Sequence, residues 1–426
     1  MLRNLLFVFF CCLSFFALHA QPVTEGLLLI KAGKLYDAEK GVFLTNQEVL
    51  IDNGRIKAVG PKLTVPKGTR VLDYPKATMT PGLIDAHTHL LMVQKLEDNL
   101  ATDVLLNSTE TRVLRAAGFA KAYLASGFTT IRDLGNAGQY LDVEVAKAIR
   151  RGYIEGPRML VSGPIISAMD GQFYQLPLQE QERITRLEYR VVNGPADAAL
   201  AVKEHANNMV DVIKVVVFGE RMGLSGEELK AIVTTAHAHR LTVTAHAVSE
   251  RDVVLALEAG VDGIEHGYSL ADSSLERMAK RGVYLVPTDP SIQGVIDIEK
   301  IQHKPNSDTA AIRGMLAPLT DRLQRAVKKG VLVVAGSDAY FELKKSRGDQ
   351  AKDMLAAYFD EGLSPADVLR TATWNAAQAL GRGGQLGVIK PGVIADIVVF
   401  NGDLEKAFKQ VLFEVQTVIK DGKIVP

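Results

Sequence analysis

Met79-Thr80-Pro81-Gly82-Leu83-Ile84-Asp85-Ala86-His87-Thr88-His89-Leu90 sets a short apolar run directly after Pro-Gly. A run this brief, bounded by turn chemistry, reads as a buried strand rather than a helix. Alternate side chains of a strand share one face, so His87 and His89 converge from one side and can chelate a single cation. Neutral imidazole is the commonest metal ligand. A second His-x-His, His237-Ala238-His239, gives the contrast. It continues the segment from Ser225 to Ala236, which is helical in composition and period, and positions i and i+2 of a helix lie about 200° apart. That pair cannot chelate.

The chain has 426 residues, 47% of them hydrophobic, enough for one large (β/α) barrel with an accessory domain or for two to three smaller domains. Basic and acidic side chains balance at 49 each. Without net charge or a long basic run, nucleic acid and anionic membrane are not expected partners, and a small substrate is. Arg3, the apolar run Leu5 to Leu18 and the small-residue site at Ala20 match a secretory signal, so residues 1–20 are expected to be removed and the mature protein to be periplasmic or secreted. The apolar run is shorter than the ~20 residues of a spanning helix, which argues against a retained anchor. Cys11 and Cys12, the two cysteines of the sequence, both lie in this segment. The mature chain must therefore ligate metal through His, carboxylate or a less usual group.

From Leu27 to Leu72 β-rich segments alternate with turn residues, and Val49 to Val59 is a hairpin about Asn53-Gly54. The far end repeats this grammar: Ile394 to Phe400 is a strand, and Thr417 to Val425 a hairpin about Asp421-Gly422. One small β-sandwich domain, 21–79 with 385–426, is expected to enclose a catalytic domain over 80–384. Within that domain strands alternate with helices at Leu83–Thr88, Phe128–Arg132, Met159–Ser162, Val212–Val217, Leu241–His246, Gly263–His266, Val283–Pro287 and Val331–Ala335. Eight near-continuous apolar strands separated by helices predict a parallel α/β fold, a (β/α)8 TIM barrel. The segment from Gly163 to Pro195 is long for a βα loop, and such loops commonly shape barrel sites.

Catalytic groups of a barrel sit at the C-terminal ends of different strands. His246 ends Leu241 to Ala245, His266 ends Gly263-Ile264-Glu265, and Asp338 follows Val331 to Ser337. Lys214 stands inside Val212-Ile213-Lys214-Val215-Val216-Val217, where burial disfavours the charged form. A neutral lysine can add CO2 to give an anionic carbamate that bridges two cations; a lysine paired with a buried carboxylate is the other reading, and the residues alone leave both open.

His87-x-His89, Lys214, His246, His266 and Asp338, in that order, resemble the metal-dependent amidohydrolase superfamily. The likeness covers nearly the whole mature chain. Pro81 to His89, Thr129 to Gly135, Ile264 to Tyr268, Ala335 to Asp338, Ala372 to Ala377 and Pro391 to Asp396 are similar to its imidazolonepropionase-like and prolidase-like branch. The resemblance implies a carbamylated Lys214 bridging two Zn2+ ions held by His87, His89, His246, His266 and Asp338. It further implies a bridging hydroxide, acidified by cations about 3.5–4 Å apart, that attacks an amide carbonyl. Asp338 would then move the proton to the leaving amine, and Tyr268 would donate to the developing oxyanion.

One departure concerns substrate. Related dipeptidases often carry Gly-His-Gly after the third strand, and here Ser167 to Tyr174 places Gln172 near that histidine's position, a side chain that hydrogen-bonds without charge. The leading reading is an exported dipeptidase of the prolidase-like kind. A cyclic amide hydrolase of imidazolonepropionase type would use one metal on His87, His89, His246 and Asp338. A non-catalytic binding protein on the same barrel is the third reading, and retention of every ligand residue counts against it. Side-chain specificity and oligomeric state, homo-oligomer included, stay open.

Overall fold

The computed structural model of the chain describes residues 26–98, 101–169, 171–172, 176–218, 223–303 and 307–426. The expected signal segment with Cys11 and Cys12, and Asp170, Phe173 and Tyr174 of the loop beside Gln172, lie outside the described residues.

Turn chemistry sets the terminal sheet. Asn53, Gly54, Asp421 and Gly422 all have positive φ, at 49°, 77°, 52° and 77°, the left-handed pair that a two-residue hairpin needs. The first turn joins β2 (Val42–Asp52) to β3 (Arg55–Gly60). β1 (Leu28–Asp37) pairs antiparallel with β2 and parallel with β4 (Arg70–Pro81). At the other end β14 (Ile397–Phe400) pairs antiparallel with β4 and with β15 (Val415–Lys420), which the second turn joins to β16 (Lys423–Ile424). The order β16-β15-β14-β4-β1-β2-β3 is one continuous mixed ladder. It curls over an apolar face of Ile30, Leu35, Val49, Met79, Ile397, Val399 and Ile419, and its far edge bonds back through Ile56 N to Val393 O at 3.0 Å. Both termini thus share one rolled sheet, and a separate second layer is not among the described elements.

β4 enters the central domain through Gly82, where a Cβ would lie 2.1 Å from Thr129 Oγ1. Parallel strands then follow: β5 (Leu83–Thr88), β6 (Phe128–Asp133), β7 (Arg158–Val161), β8 (Ile165–Ser167), β9 (Tyr189–Val191), β10 (Val212–Val216), β11 (Thr242–Ala247), β12 (Gly263–His266) and β13 (Tyr284–Val286). The third expected strand is split. β7 pairs with β6, the chain turns at Gly163 with φ 66°, and β8 pairs with β10. The long segment after Gly163 also holds the helix Leu178–Glu188 and β9, so it is a folded excursion and not an open loop.

The eighth expected strand, Val331 to Ala335, makes the closing contacts without regular ladder geometry. Leu285 N donates to Leu332 O at 3.0 Å, Ala86 N to Ala335 O at 2.8 Å and Asp338 N to His87 O at 2.8 Å. These bonds connect β13 to β5 around the ring, an arrangement consistent with the expected barrel. Strand alternation then sorts the side chains. Ile213 and Val215 join the apolar layer with Ile131, Val243, Ile264 and Val333, while Lys214 and Val216 line the central cavity. Outside the ring, Ser225 and Glu228 form a reciprocal capping box that starts the helix Gly226–Ala238. His237 is on that helix and bonds Asp262 at 2.9 Å, away from His87 and His89, as its spacing requires. Among the described residues no helix is long and apolar enough to cross a membrane.

Candidate metal centre

β5, β10, β11, β12 and the closing segment deliver His87 and His89, Lys214, His246, His266 and Asp338 to one end of the ring. A small cavity of about 100 Å³ there is lined by His87, His89, Lys214, His246 and Asp338 together with Met92, Asn136, Ile165, Gln172, Val216 and Tyr340. His87, His89 and Asp338 form the tightest group, their ligand atoms all within 4.8 Å of one another. His87 Nε2 lies 3.3 Å from His89 Nε2 and 3.5 Å from Lys214 Nζ. His246 packs edge-on against His266 with ring centroids 4.4 Å apart, and His266 sits against His87 at 5.1 Å.

Hydrogen bonding fixes what these rings present to the cavity. His87 Nδ1 is 2.7 Å from Glu265 Oε2, and His89 Nδ1 is 2.9 Å from Gly135 O. Carboxylate and carbonyl oxygens can only accept, so both Nδ1 atoms donate, and in the neutral rings both Nε2 lone pairs turn inward. Two such lone pairs 3.3 Å apart repel. Asp338 Oδ1 lies 3.2 Å from His89 Nε2 yet is buried without a well-directed hydrogen bond among the described residues. An electron-rich point made of two imidazole nitrogens and an unsatisfied carboxylate oxygen calls for a cation, and this N, N, O donor set suits a divalent metal.

The electrostatics agree for His87, His246 and His266. Burial and the Lys214 charge push His87 down to about 4 and His246 down to about 3, which keeps both rings neutral and able to ligate. Burial and His246 put His266 well below its ordinary value. His89 moves the other way: burial opposes its charge, but Asp338 outweighs burial and raises it. Burial would raise Asp338 too, but His87, His89 and His266 hold it far below the carboxylate range. Lys214, 2% exposed, is lowered by burial to about 8, with Glu265 and Asp338 opposing. No carboxylate among the described residues comes within ion-pair distance of Lys214, so the paired-lysine reading finds no partner there.

A layer the sequence reading passed over supports this group. Glu265 is fully buried, and burial would raise it, yet Arg132 and His87 bring it to about 2. Its Oε1 accepts from Arg132 Nη2 at 2.7 Å and from Thr244 Oγ1, while Arg132 also donates to Ala86 O at 2.7 Å and to Tyr284 OH at 2.6 Å. Asp85 likewise ties the closing segment to β5, accepting from Ser337 N at 2.9 Å and Ser337 Oγ at 2.6 Å. The signal is present in the sequence: Arg132 and Glu265 are charges inside apolar strands, as Lys214 is.

Tyr268 is near the group but turned aside. Thr288 gives its one hydroxyl hydrogen to Pro287 O at 2.7 Å, so Thr288 Oγ1 accepts from His266 Nδ1 at 2.8 Å and from Tyr268 OH at 3.1 Å. Burial, then Asp338, pushes Tyr268 up to about 12. His266, Thr288 and Asp338 all have positive φ, 71°, 55° and 51°, strain of the kind that concentrates at functional sites. Gln172 lines the cavity and accepts from Tyr189 OH at 2.5 Å.

This fold and donor set define a metal-dependent hydrolase class, and the chain belongs to the amidohydrolase family, whose model matches residues 78–425. Among its relatives, ochratoxinase of Aspergillus niger is 27% identical over 403 residues, 87% of this chain and 80% of that protein. Imidazolonepropionase of Geobacillus thermodenitrificans is 26% identical over 427 residues, covering 90% of each. A crystal structure of a Xaa-Pro dipeptidase with methionine bound in its active site superposes with a TM-score of 0.80 at 25% identity, over 94% of this chain and 100% of that one. The chain is thus an enzyme of a family whose hydrolase homologues act on amide or peptide carbon-nitrogen bonds.

Proposed function

We propose that this protein is an exported dipeptidase of the prolidase-like kind, with two Zn2+ ions held by His87, His89, His246, His266 and Asp338 and bridged by a carbamylated Lys214. The observation that carries the metal reading is the facing pair of His87 and His89 Nε2 lone pairs beside the unsatisfied Asp338 Oδ1. The two-metal reading rests on Lys214, which is buried, lacks a carboxylate partner among the described residues, and stands 3.5 Å from His87 Nε2. Likeness to a Xaa-Pro dipeptidase over its full length supports the substrate class.

Bound zinc supplies an acidified water and polarises the scissile carbonyl. The chain does the rest. Glu265 and Gly135 hold His87 and His89 in the ligating tautomer, and Thr288 does the same for His266. Asp338 takes the proton of the attacking water and passes it to the leaving nitrogen, without which an amine departs poorly. Gln172 offers an uncharged donor to the peptide.

A one-metal reading has its own observation, since the tight group consists of His87, His89 and Asp338 alone. A single ion and a cyclic amide substrate, as in the imidazolonepropionase branch, would follow from it. The purified protein, loaded with zinc in bicarbonate, should bind two ions per chain by elemental analysis and cleave members of a dipeptide library that includes Xaa-Pro. One ion per chain would favour the alternative, and a metal-loaded protein inert toward the whole library would remove the dipeptidase reading.

A further inference from the structure

We propose that Tyr340, rather than Tyr268, is the catalytic hydrogen-bond donor to the oxyanion. This rests on the amide-hydrolase reading above and assigns a residue that reading leaves open. Amide hydrolysis requires a donor where the carbonyl oxygen gains charge, and such a donor must not be committed elsewhere. Tyr268 is committed, because its hydroxyl bonds Thr288 Oγ1, whose own hydrogen goes to Pro287 O. Tyr340 lines the cavity beside His87, His89, Lys214, His246 and Asp338.

Tyr340 is held by its ring and its backbone, which leaves the hydroxyl unused. The ring stands edge-on to His89, centroids 6.0 Å apart at 81°, and packs on Phe341 at 4.6 Å. Its carbonyl accepts from Gln94 N at 3.0 Å, tying the turn after Asp338 to the turn after His89. The hydroxyl has no hydrogen-bond partner among the described residues, so donating to substrate breaks no existing bond. A ring locked by packing with a free polar tip is a preorganised donor.

The step balances without moving the phenol proton. As the water oxygen bonds to the carbonyl carbon, the C–O π pair moves onto oxygen, and Tyr340 O–H donates a hydrogen bond to it. When the C–N bond breaks, that pair returns to carbon, and the proton that Asp338 took from the water goes to the leaving nitrogen. Tyr340 strengthens its bond only while charge is developed, so it raises kcat more than it lowers KM.

Tyr340→Phe keeps both ring contacts and should fold and bind zinc as the parent does. With a dipeptide that the parent cleaves, kcat should fall by about 10²-fold with KM changed little, and Tyr268→Phe should cost less. By calorimetry, a phosphonate dipeptide analogue that mimics the tetrahedral oxyanion should lose affinity to Tyr340→Phe by about 10-fold or more, while the product amino acids should not. Unchanged kcat and unchanged phosphonate affinity in Tyr340→Phe would overturn the assignment of Tyr340 and leave the hydrolase reading standing. A zinc-loaded parent that neither cleaves amides nor binds the phosphonate would overturn both.

Discussion

Asp338 meets two demands that pull on the same atoms. It offers Oδ1 to the point where His87 and His89 converge, and in the proposed reaction it must still accept and release a proton. Asp338→Asn separates them, because an amide oxygen can approach a cation but cannot shuttle a proton. Most of the zinc should stay while kcat falls by ~10²–10⁴, and near-parental turnover would remove Asp338 from proton transfer. At Lys214 the question is the number of metals. Lys214→Ala removes the proposed bridge and its negative charge, and two cations left close together in a site of low dielectric repel. The folded variant should then lose at least one zinc per chain at matched zinc, short carboxylic acids should restore part of it, and bicarbonate with zinc should reactivate stripped parent better than zinc alone. An unchanged metal count in Lys214→Ala would refute the carbamate.

Between elements, the site depends on how closely the closing segment approaches β5. Gly336 is the contact point, for a Cβ there would lie 2.3 Å from Val286 Cγ1, 2.8 Å from His87 Cβ and 3.2 Å from His87 N. Backbone cannot swing aside as a flexible side chain can, so Gly336→Ala must push β5 and its ligands outward. We expect a loss of ~1–3 kcal/mol of stability and weaker zinc retention against a chelator. Gly314→Ala is the control. Gly314 is inside the helix Thr309–Lys328 with nothing within 4 Å of an added Cβ, so alanine should stabilise by up to ~1 kcal/mol with zinc retention unchanged. Equal effects of the two substitutions in unfolding and chelation assays would contradict the packing argument.

Across the whole molecule, the helix Arg347–Asp360 meets the terminal sheet at a buried charge. Lys352 is fully buried, its Nζ lacks a hydrogen-bond partner among the described residues, and it stands 5.7 Å from the ring centroids of both Phe400 and Phe413. Burial lowers Lys352 to about 8, with Asp349 and Glu414 opposing. A lysine whose folded value is below its unfolded 10.5 costs stability in full below pH 8, and the cost fades as pH rises from 8 to 10.5. The two rings offset part of it. Lys352→Met should therefore stabilise at pH 7 by ~1–3 kcal/mol, with the advantage gone near pH 10.5. Denaturant midpoints at both pH values check this, and a variant less stable at pH 7 would mean that the ring contacts outweigh desolvation.

Local chemistry was enough for much of this protein. Asn53-Gly54 and Asp421-Gly422 dictate hairpins whatever surrounds them, because left-handed φ is a property of the turn itself. Short apolar runs ending in His87, His246 and His266 mark strand ends, and the His87-Thr88-His89 spacing alone permits a chelate that His237-Ala238-His239 does not. What strand register and ring closure bring together could not be read that way. Glu265 reaches Arg132 across 133 residues and His87 across 178, and these bonds decide which imidazole nitrogens face the cavity. Tyr268 is two residues past His266, yet Thr288, 20 residues on, takes its hydroxyl. Asp338 and Tyr340 reach the site because residues 331–338 close onto β5. Sequence spacing encodes which residues share an element, and therefore the donor types; which donors and acceptors meet between elements depends on packing distances that no local pattern carries.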